Sequence, residues 1–320
     1  MVNLYGYQPP EKFLWQGRHD GPEALRLHEV VHCTDVQFGL ALPKHAIVLI
    51  GFASDEGVKR NLGRPGAADG PLAWRKALAN LPVPEGLTRP IFDAGDITCL
   101  ENDLEQAQAA LGLLVALVLE QGGFPFVCGG GHEVAWGQFL GIAEKGFDRG
   151  LGIVNLDAHY DLRPVLEGNK GTSGTTFSQM LDHQNAKGFP FYYACAGIQP
   201  QGNTIALHQK ARTLDVLVIP AEEIDHAPHL LEPFIDLAQH LYFTICLDVF
   251  NSAFAPGVSA PQVLGITPTQ ALPLIRKMAG TGKLFACNIA ELSPSYDRDQ
   301  MTARLAAALT LEILRLLPSN

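Results

Sequence analysis

Three stretches of the chain place metal-type or acidic side chains directly after apolar runs: His132 in FPFVCGGGHE, Asp157, His159 and Asp161 in LGIVNLDAHYDLR, and Cys246 and Asp248 in LYFTICLDVF. Asp157, His159 and Asp161 alternate with Ala158 and Tyr160, so an extended backbone would point all three the same way. Converging beyond a hydrophobic strand, they would repel and desolvate one another unless a cation stood among them. Cys246 and Asp248 repeat the spacing of two, and a fourth apolar run, KLFACNIAEL, carries Glu291 near its end. A lone histidine behind a glycine turn is ordinarily a capping or core residue, and a glutamate at a strand end is often only a salt-bridge partner. It is their company that suggests a site. Two histidines and several carboxylates exceed the needs of one tetrahedral zinc and suit a pair of hard, oxygen-loving ions such as Mn2+. Such a pair turns water into hydroxide near neutral pH and holds it for attack on an electrophilic carbon. The residues by themselves predict a metal-dependent hydrolase.

The elements that must position these groups read as strand, loop and helix in repetition. Short continuous apolar runs predict strands at residues 46–52, 124–128, 151–156, 191–198, 215–220, 241–247 and 283–292. Helices are predicted for LEQAQAALGLLVALVLEQGG, for Val134 to about Lys145, and for Leu230–Gln239, Thr269–Gly280 and Arg298–Leu317. This alternation implies an α/β fold with a mostly parallel sheet and helices on both faces, the ligands collecting at the carboxyl ends of the strands. No repeat or Ser/Gly linker divides the chain, so residues 1–320 are expected to form one domain. The Gly-rich, charged segment ASDEGVKRNLGRPGAADGP (53–71) is expected to be a long loop walling the site.

Composition narrows the partners. The 320 residues are 47% hydrophobic, ample for a buried sheet, and the formal charge of −10 with scattered Lys and Arg disfavours nucleic acid and anionic membranes. A small-molecule substrate is the expectation, with a homo-oligomer possible. The first residues lack a basic-then-apolar leader, the run AALGLLVALVL is too short to span a bilayer, and six cysteines show no secretory or CxxC spacing. A soluble cytoplasmic protein is expected. GFASDEG lacks the Gly-rich fingerprint of a dinucleotide site.

GGGHE, NLDAHYD, ICLDVFNSAFAPGVSAP and AELSPSYD, in that order and spacing, resemble the ureohydrolase (arginase and agmatinase) family along nearly the whole chain. The resemblance implies an arginase-like three-layer αβα fold around a mostly parallel eight-stranded sheet, and a centre of two Mn2+ ions. One ion would take His132, Asp157 and Asp161, the other His159, Asp157 and Asp248, with position 246 shared. Within the family, WQGRHDGPEALR, GFASDEGVKRNLGRPGAADGP, the Arg of DAHYDLR, the SGT turn and GIQPQGNT are most similar to the branch that hydrolyses N-formimidoyl-L-glutamate to L-glutamate and formamide in histidine degradation. The resemblance then implies that Asp161 relays the proton needed by the leaving amine, that Glu291 pairs with the cationic amidinium, and that Arg163 and Arg64 meet the substrate carboxylates. Ser173, Thr175 and Asn203 would add hydrogen bonds. Two alternatives remain: a relative releasing urea from a guanidino acid, and a non-catalytic relative, for which five preserved ligands would have no use.

The sequence departs from the family pattern at three points. Cys246 stands where the motif S-x-D-x-D has a bridging aspartate, and thiolate is softer than Mn2+ prefers. Gly131 replaces the aspartate of GGDHS, which is expected to disturb ligand orientation more than ligand number. Phe177 lies near the place of a histidine thought to shuttle protons in arginases.

Overall fold

The computed structural model describes residues 4–318. Ten strands form one sheet: β1 (Tyr7–Gln8), β2 (Val31–Cys33), β3 (Ile47–Ala53), β4 (Ile91–Thr98), β5 (Phe124–Gly129), β6 (Leu151–Leu156), β7 (Tyr192–Ile198), β8 (Leu217–Pro220), β9 (His240–Cys246) and β10 (Leu284–Ala290). Their spatial order is β1-β4-β3-β5-β10-β9-β6-β7-β8, with β2 pairing β4. The eight strands from β4 to β8 are parallel throughout. Short β2 extends them parallel to β4, and β1 pairs with β4 antiparallel. The expected eight-stranded parallel sheet is thus present, widened at one edge by two small strands.

Alternation along each strand feeds two cores, one on each face. Val48, Ile50, Val127 and Ile153 pack with the helices Leu104–Glu120 and Val134–Glu144. Leu49, Phe126 and Val154 pack on the opposite face with Gly70–Ala79, Pro268–Ala279 and Met301–Leu314. Burial on both faces is why these strands read as unbroken apolar runs. The helices begin where side chains satisfy free N–H groups: Asp103 accepts from Gln106 N, and Thr267 and Gln270 form a reciprocal capping box. Among the described residues no helix is long and apolar enough to cross a membrane.

Three expectations need correction. Strand β4 lies outside the predicted set, because IFDAGDIT carries two aspartates. Asp93 is fully buried, and its charge is met by Arg75 at 2.9 Å through both Nε and Nη2 and by Trp15 Nε1 at 2.7 Å, while Arg75 Nη1 reaches Asp96 at 2.6 Å. The segment predicted as helix Leu230–Gln239 is broken into Ala227–Leu230 and Glu232–Leu237, with Pro233 at the start of the second piece. Residues 53–71 are not a plain loop: they hold the short helix Glu56–Arg60, a turn at Ala67–Asp69 and the first residues of the helix Gly70–Ala79.

The chain passes from β5 to β6 across the gap later filled by β10 and β9, so β5, β10, β9 and β6 are adjacent at the middle of the sheet. A change of winding direction of this kind opens a crevice at the carboxyl ends of the strands. Registers Ile289↔Cys128, Ala290↔Cys246 and Leu156↔Ile245 level those ends, so the residues leaving each strand meet those leaving its neighbours.

The Arg75–Asp93 pair generates one expectation. Arg75→Met strands a buried carboxylate and should cost about 3–5 kcal/mol, as for other broken buried pairs. Urea denaturation of the two proteins measures it; a loss below about 1 kcal/mol would show that the pair does not hold β4.

Candidate metal centre

The four central strands deliver His132 two turn residues beyond β5, Asp157 directly after β6, Cys246 and Asp248 at the end of β9, and Glu291 directly after β10. The convergence of Asp157, His159 and Asp161 does not come from an extended run. The loop curls, and Asp161 takes a left-handed backbone (φ 46°), as does Glu291 (φ 72°). Such conformations cost a non-glycine residue about 1–3 kcal/mol and persist only where the surroundings enforce them.

His132 Nδ1 lies 3.0 Å from Asp157 Oδ2 and 2.9 Å from Asp161 Oδ2. His159 Nδ1 lies 3.2 Å from Asp248 Oδ2 and 3.5 Å from Asp157 Oδ1. Two donor sets result, one of His132, Asp157 and Cys246 and one of Asp157, His159 and Asp248, with Asp157 common to both. His132 Nδ1 is close to two carboxylates without hydrogen-bond geometry to either, and Asp248 Oδ1 is likewise buried without a partner. Buried polar atoms left unpaired and aimed at a common point fit a cation there.

The hydrogen bonds behind His132 decide which nitrogen carries its proton. Gln138 Nε2 donates to the backbone carbonyls of Pro125 and Cys287, both at 3.1 Å, which turns Gln138 Oε1 toward Asn288 Nδ2 at 3.0 Å. Asn288 Oδ1 then accepts from the Thr244 hydroxyl at 2.7 Å, so Thr244 must accept from His132 Nε2 at 2.8 Å. Nε2 thus carries a proton in either charge state of the ring, and Nδ1, which faces Asp157 and Asp161, is the nitrogen that can serve a metal once a bound ion displaces its own proton.

The electrostatics describe a site overloaded with negative charge. Burial raises the Asp157 carboxyl, but His132 and His159 outweigh it and hold the group well below the usual range. Burial and then the charge of Asp157 push Asp161 up to about 6. Burial and then Asp248 push Glu291 to about 7, and burial followed by the charges of Asp157 and Asp248 lifts the Cys246 thiol far above its ordinary value. Burial also raises Asp248 despite the offset from His159. A divalent cation would reverse the balance at each of these groups.

The centre forms the floor of a cleft of about 220 Å³, small enough to suit a metabolite. Glu291 reaches it with Oε1 held by the His132 N–H at 2.9 Å and Oε2 by the Ser259 hydroxyl at 2.5 Å. Arg163 stands exposed at the cleft, and among the described residues its guanidinium has no hydrogen bond or ion pair. Ser173 also lines the cleft and accepts from Asn61 Nδ2 at 3.2 Å. Asn203 borders it, but its amide is spent on Tyr160 N and the carbonyls of Ala158 and Gln199.

Two expected residues are not brought to the cleft. The Arg64 guanidinium donates to the carbonyls of Val258 (2.7 Å) and Ser259 (3.1 Å) and lies 4.1 Å over the Tyr296 ring, so it clamps the 258–259 loop. Thr175 Oγ1 accepts from Thr172 N at 2.8 Å and lies within hydrogen-bond reach of Gln179, closing its own turn. Phe177 is fully buried, edge-on to His132 at 5.6 Å and stacked on Tyr193 at 4.5 Å, so it supplies packing and no proton.

The glycines before His132 have a specific reason. A Cβ on Gly130 would lie 1.6 Å from the Ser54 carbonyl oxygen, and one on Gly131 would lie 2.0 Å from Glu133 Oε2. Glu133 is fully buried, and its Oε1 accepts from Gly57 N at 2.9 Å and from the Ser54 hydroxyl at 3.2 Å. The space beside residue 131 is therefore already filled by the carboxyl group of Glu133, which burial and then the charge of Glu291 push up to about 8. Sequence reasoning missed Asn61, Ser259, Thr244, Gln138 and Asn288. Only Thr244 carried a signal, at spacing two from Cys246.

Comparison with known proteins agrees with this geometry. The Arginase family model matches residues 45–315. Formimidoylglutamase of Ralstonia nicotianae is 44% identical over 314 residues, covering 94% of each chain. That of Legionella pneumophila strain Lens is 40% identical over 317 residues, covering 98% of each. A crystal structure of Trypanosoma cruzi formiminoglutamase with Mn2+ superposes with a TM-score of 0.77 at 29% identity, over 86% of this chain and 95% of that one.

The raised Asp161 sets a pH dependence for metal binding. Its folded value of about 6 lies above the ordinary 3.8, so at pH 5 the metal-free folded protein keeps a proton that a bound ion must displace, whereas at pH 8 the carboxylate is already free. Mn2+ should therefore raise Tm more at pH 8 than at pH 5 in differential scanning fluorimetry, and Asp161→Asn should shrink that difference. Equal shifts at both pH values in the unaltered protein would remove Asp161 from the ligand set.

Proposed function

The chain belongs to the arginase family, and from that premise we propose that it is a metal-dependent hydrolase converting N-formimidoyl-L-glutamate to L-glutamate and formamide, a step of histidine degradation. The observation that carries the reading is the pair of buried donor sets joined at Asp157, on the floor of a cleft that presents a carboxylate, Glu291, and an unpaired guanidinium, Arg163. Near-full-length relatives named formimidoylglutamase support this substrate over a guanidino acid. Six free cysteines suit a reducing cytoplasm.

His132, Asp157 and Asp161, with Cys246 beside them, would hold one divalent ion, and Asp157, His159 and Asp248 a second. When bound, such a pair supplies a water that ionises near neutral pH. The rest falls to the chain's own side chains. Glu291, fixed by Ser259 and the His132 N–H, receives the cationic amidinium and so orients its carbon. The incoming cation favours the ionised form of a carboxyl that otherwise titrates near 7. Hydrolysis adds the water oxygen to the formimidoyl carbon and breaks that carbon's bond to the glutamate nitrogen, which leaves as an amine only after gaining a proton. Asp161, which borders the cleft beside His132, is the carboxylate placed to take up the water proton and pass it on. At the other end of the substrate, Arg163 offers a planar fork to a carboxylate, with Ser173 and Asn61 beside it. Arg64 is committed to backbone carbonyls, so a single unpaired arginine serves the glutamyl end among the described residues lining the cleft.

Incubation with formimidoylglutamate and with guanidinobutyrate or arginine, followed by product analysis, tests the reading. Formamide from the first and no urea from the others is the expected result; urea release with formimidoylglutamate untouched would replace it. Arg163→Ala should raise KM for formimidoylglutamate about 10–100-fold, the loss of one charge-assisted contact, with kcat and metal content little changed. An unchanged KM would sink the role of Arg163.

A further inference from the structure

The two donor sets differ in one element. Around His132 stand an imidazole nitrogen, the carboxylates of Asp157 and Asp161 and the sulfur of Cys246; around His159 stand an imidazole nitrogen and two carboxylates, without sulfur. Cys246 is 2% exposed, and its sulfur, a ring nitrogen of His132 and an Asp157 oxygen all lie within 4.8 Å of one another. The second indication is independent of the thiol: His132 Nδ1 is buried without a hydrogen bond, and because the chain of hydrogen bonds from Gln138 ties Nε2 to Thr244, Nδ1 is the nitrogen that faces this position.

We infer that Cys246 makes the two metal positions chemically unequal: the position of His132, Asp157 and Cys246 selects a thiophilic divalent ion of the Zn2+, Co2+ or Cd2+ class, and that of Asp157, His159 and Asp248 a hard ion such as Mn2+. A thiolate in the donor set is the habit of zinc-like ions, whereas sets of nitrogen and carboxylate alone suit manganese. The sulfur–metal bond forms as the thiol gives its proton to solvent, so the thiolate offsets one positive charge of the ion. Asp157, common to both sets, couples the unlike ions. The inference rests on the two-position reading of the centre and not on the identity of the substrate.

Cadmium reads the sulfur directly. Metal-free protein titrated with Cd2+ should develop a sulfur-to-cadmium charge-transfer band in the ultraviolet that grows to one equivalent and then stops. Cys246→Ser should lack the band, and Asp248→Asn should keep it. Mn2+ added to the one-cadmium protein should give the electron paramagnetic resonance spectrum of an isolated ion, and Asp248→Asn should abolish it. Cys246→Asp serves as the sulfur-free variant if the serine protein does not fold. No band in the unaltered protein, or a band surviving the loss of Cys246, overturns the inference. A band that keeps growing to two equivalents would place the sulfur between both ions and overturns it as well. Formimidoylglutamate hydrolysis, measured separately, tells the two readings apart: a band without hydrolysis refutes the substrate and leaves the metal assignment, and hydrolysis without a band does the reverse.

Discussion

Asp157, Asp161, Asp248 and Glu291 crowd one buried place with two imidazoles, and they cannot all be ionised there unless positive charge joins them. Much of the surrounding structure is organised around that constraint. Four parallel strands at the middle of the sheet bring the groups to one level, and burial on both faces prevents the sheet from yielding to their repulsion. Left-handed turns at Asp161 and Glu291 hold two of the carboxylates where relaxed backbone would not. The strain is local, and the packed sheet absorbs it.

Orientation is enforced from behind. Backbone carbonyls of β5 and β10 orient Gln138, Gln138 orients Asn288, and through Thr244 the pattern reaches His132. Carbonyl oxygens cannot exchange donor and acceptor roles, so the order they impose is passed on without ambiguity. Second-sphere control of a metal ligand is here tied to the hydrogen-bonding groups of the sheet itself.

Much of this was legible in the chain. Continuous apolar runs announced seven of the strands because both faces of the sheet are covered, and the candidate ligands stood out because they follow such runs. What escaped depended on partners distant in sequence. β4 looks too polar for a core strand until Arg75 is seen against Asp93. Arg64 looked available until its carbonyl partners at 258 and 259 folded against it. Thr175 had the right type in the right segment, but its hydroxyl closes a turn. The straight alternation expected for Asp157, His159 and Asp161 is absent: the chain bends at 157–159 and Asp161 takes a left-handed backbone, yet the three groups still converge.

Gly131 and Glu133 illustrate a different kind of dependence. A Cβ at position 131 would stand 2.0 Å from Glu133 Oε2 and 2.4 Å from Val58 Cγ2, and Glu133 cannot swing aside because Gly57 N and Ser54 hold it. An aspartate at 131 is therefore not one substitution away from this protein, since introducing it alone would force a collision beside His132. Positions 131 and 133 therefore form a single unit of sequence change in this chain: a side chain can enter at 131 only if the one at 133 shrinks and Val58 gives way.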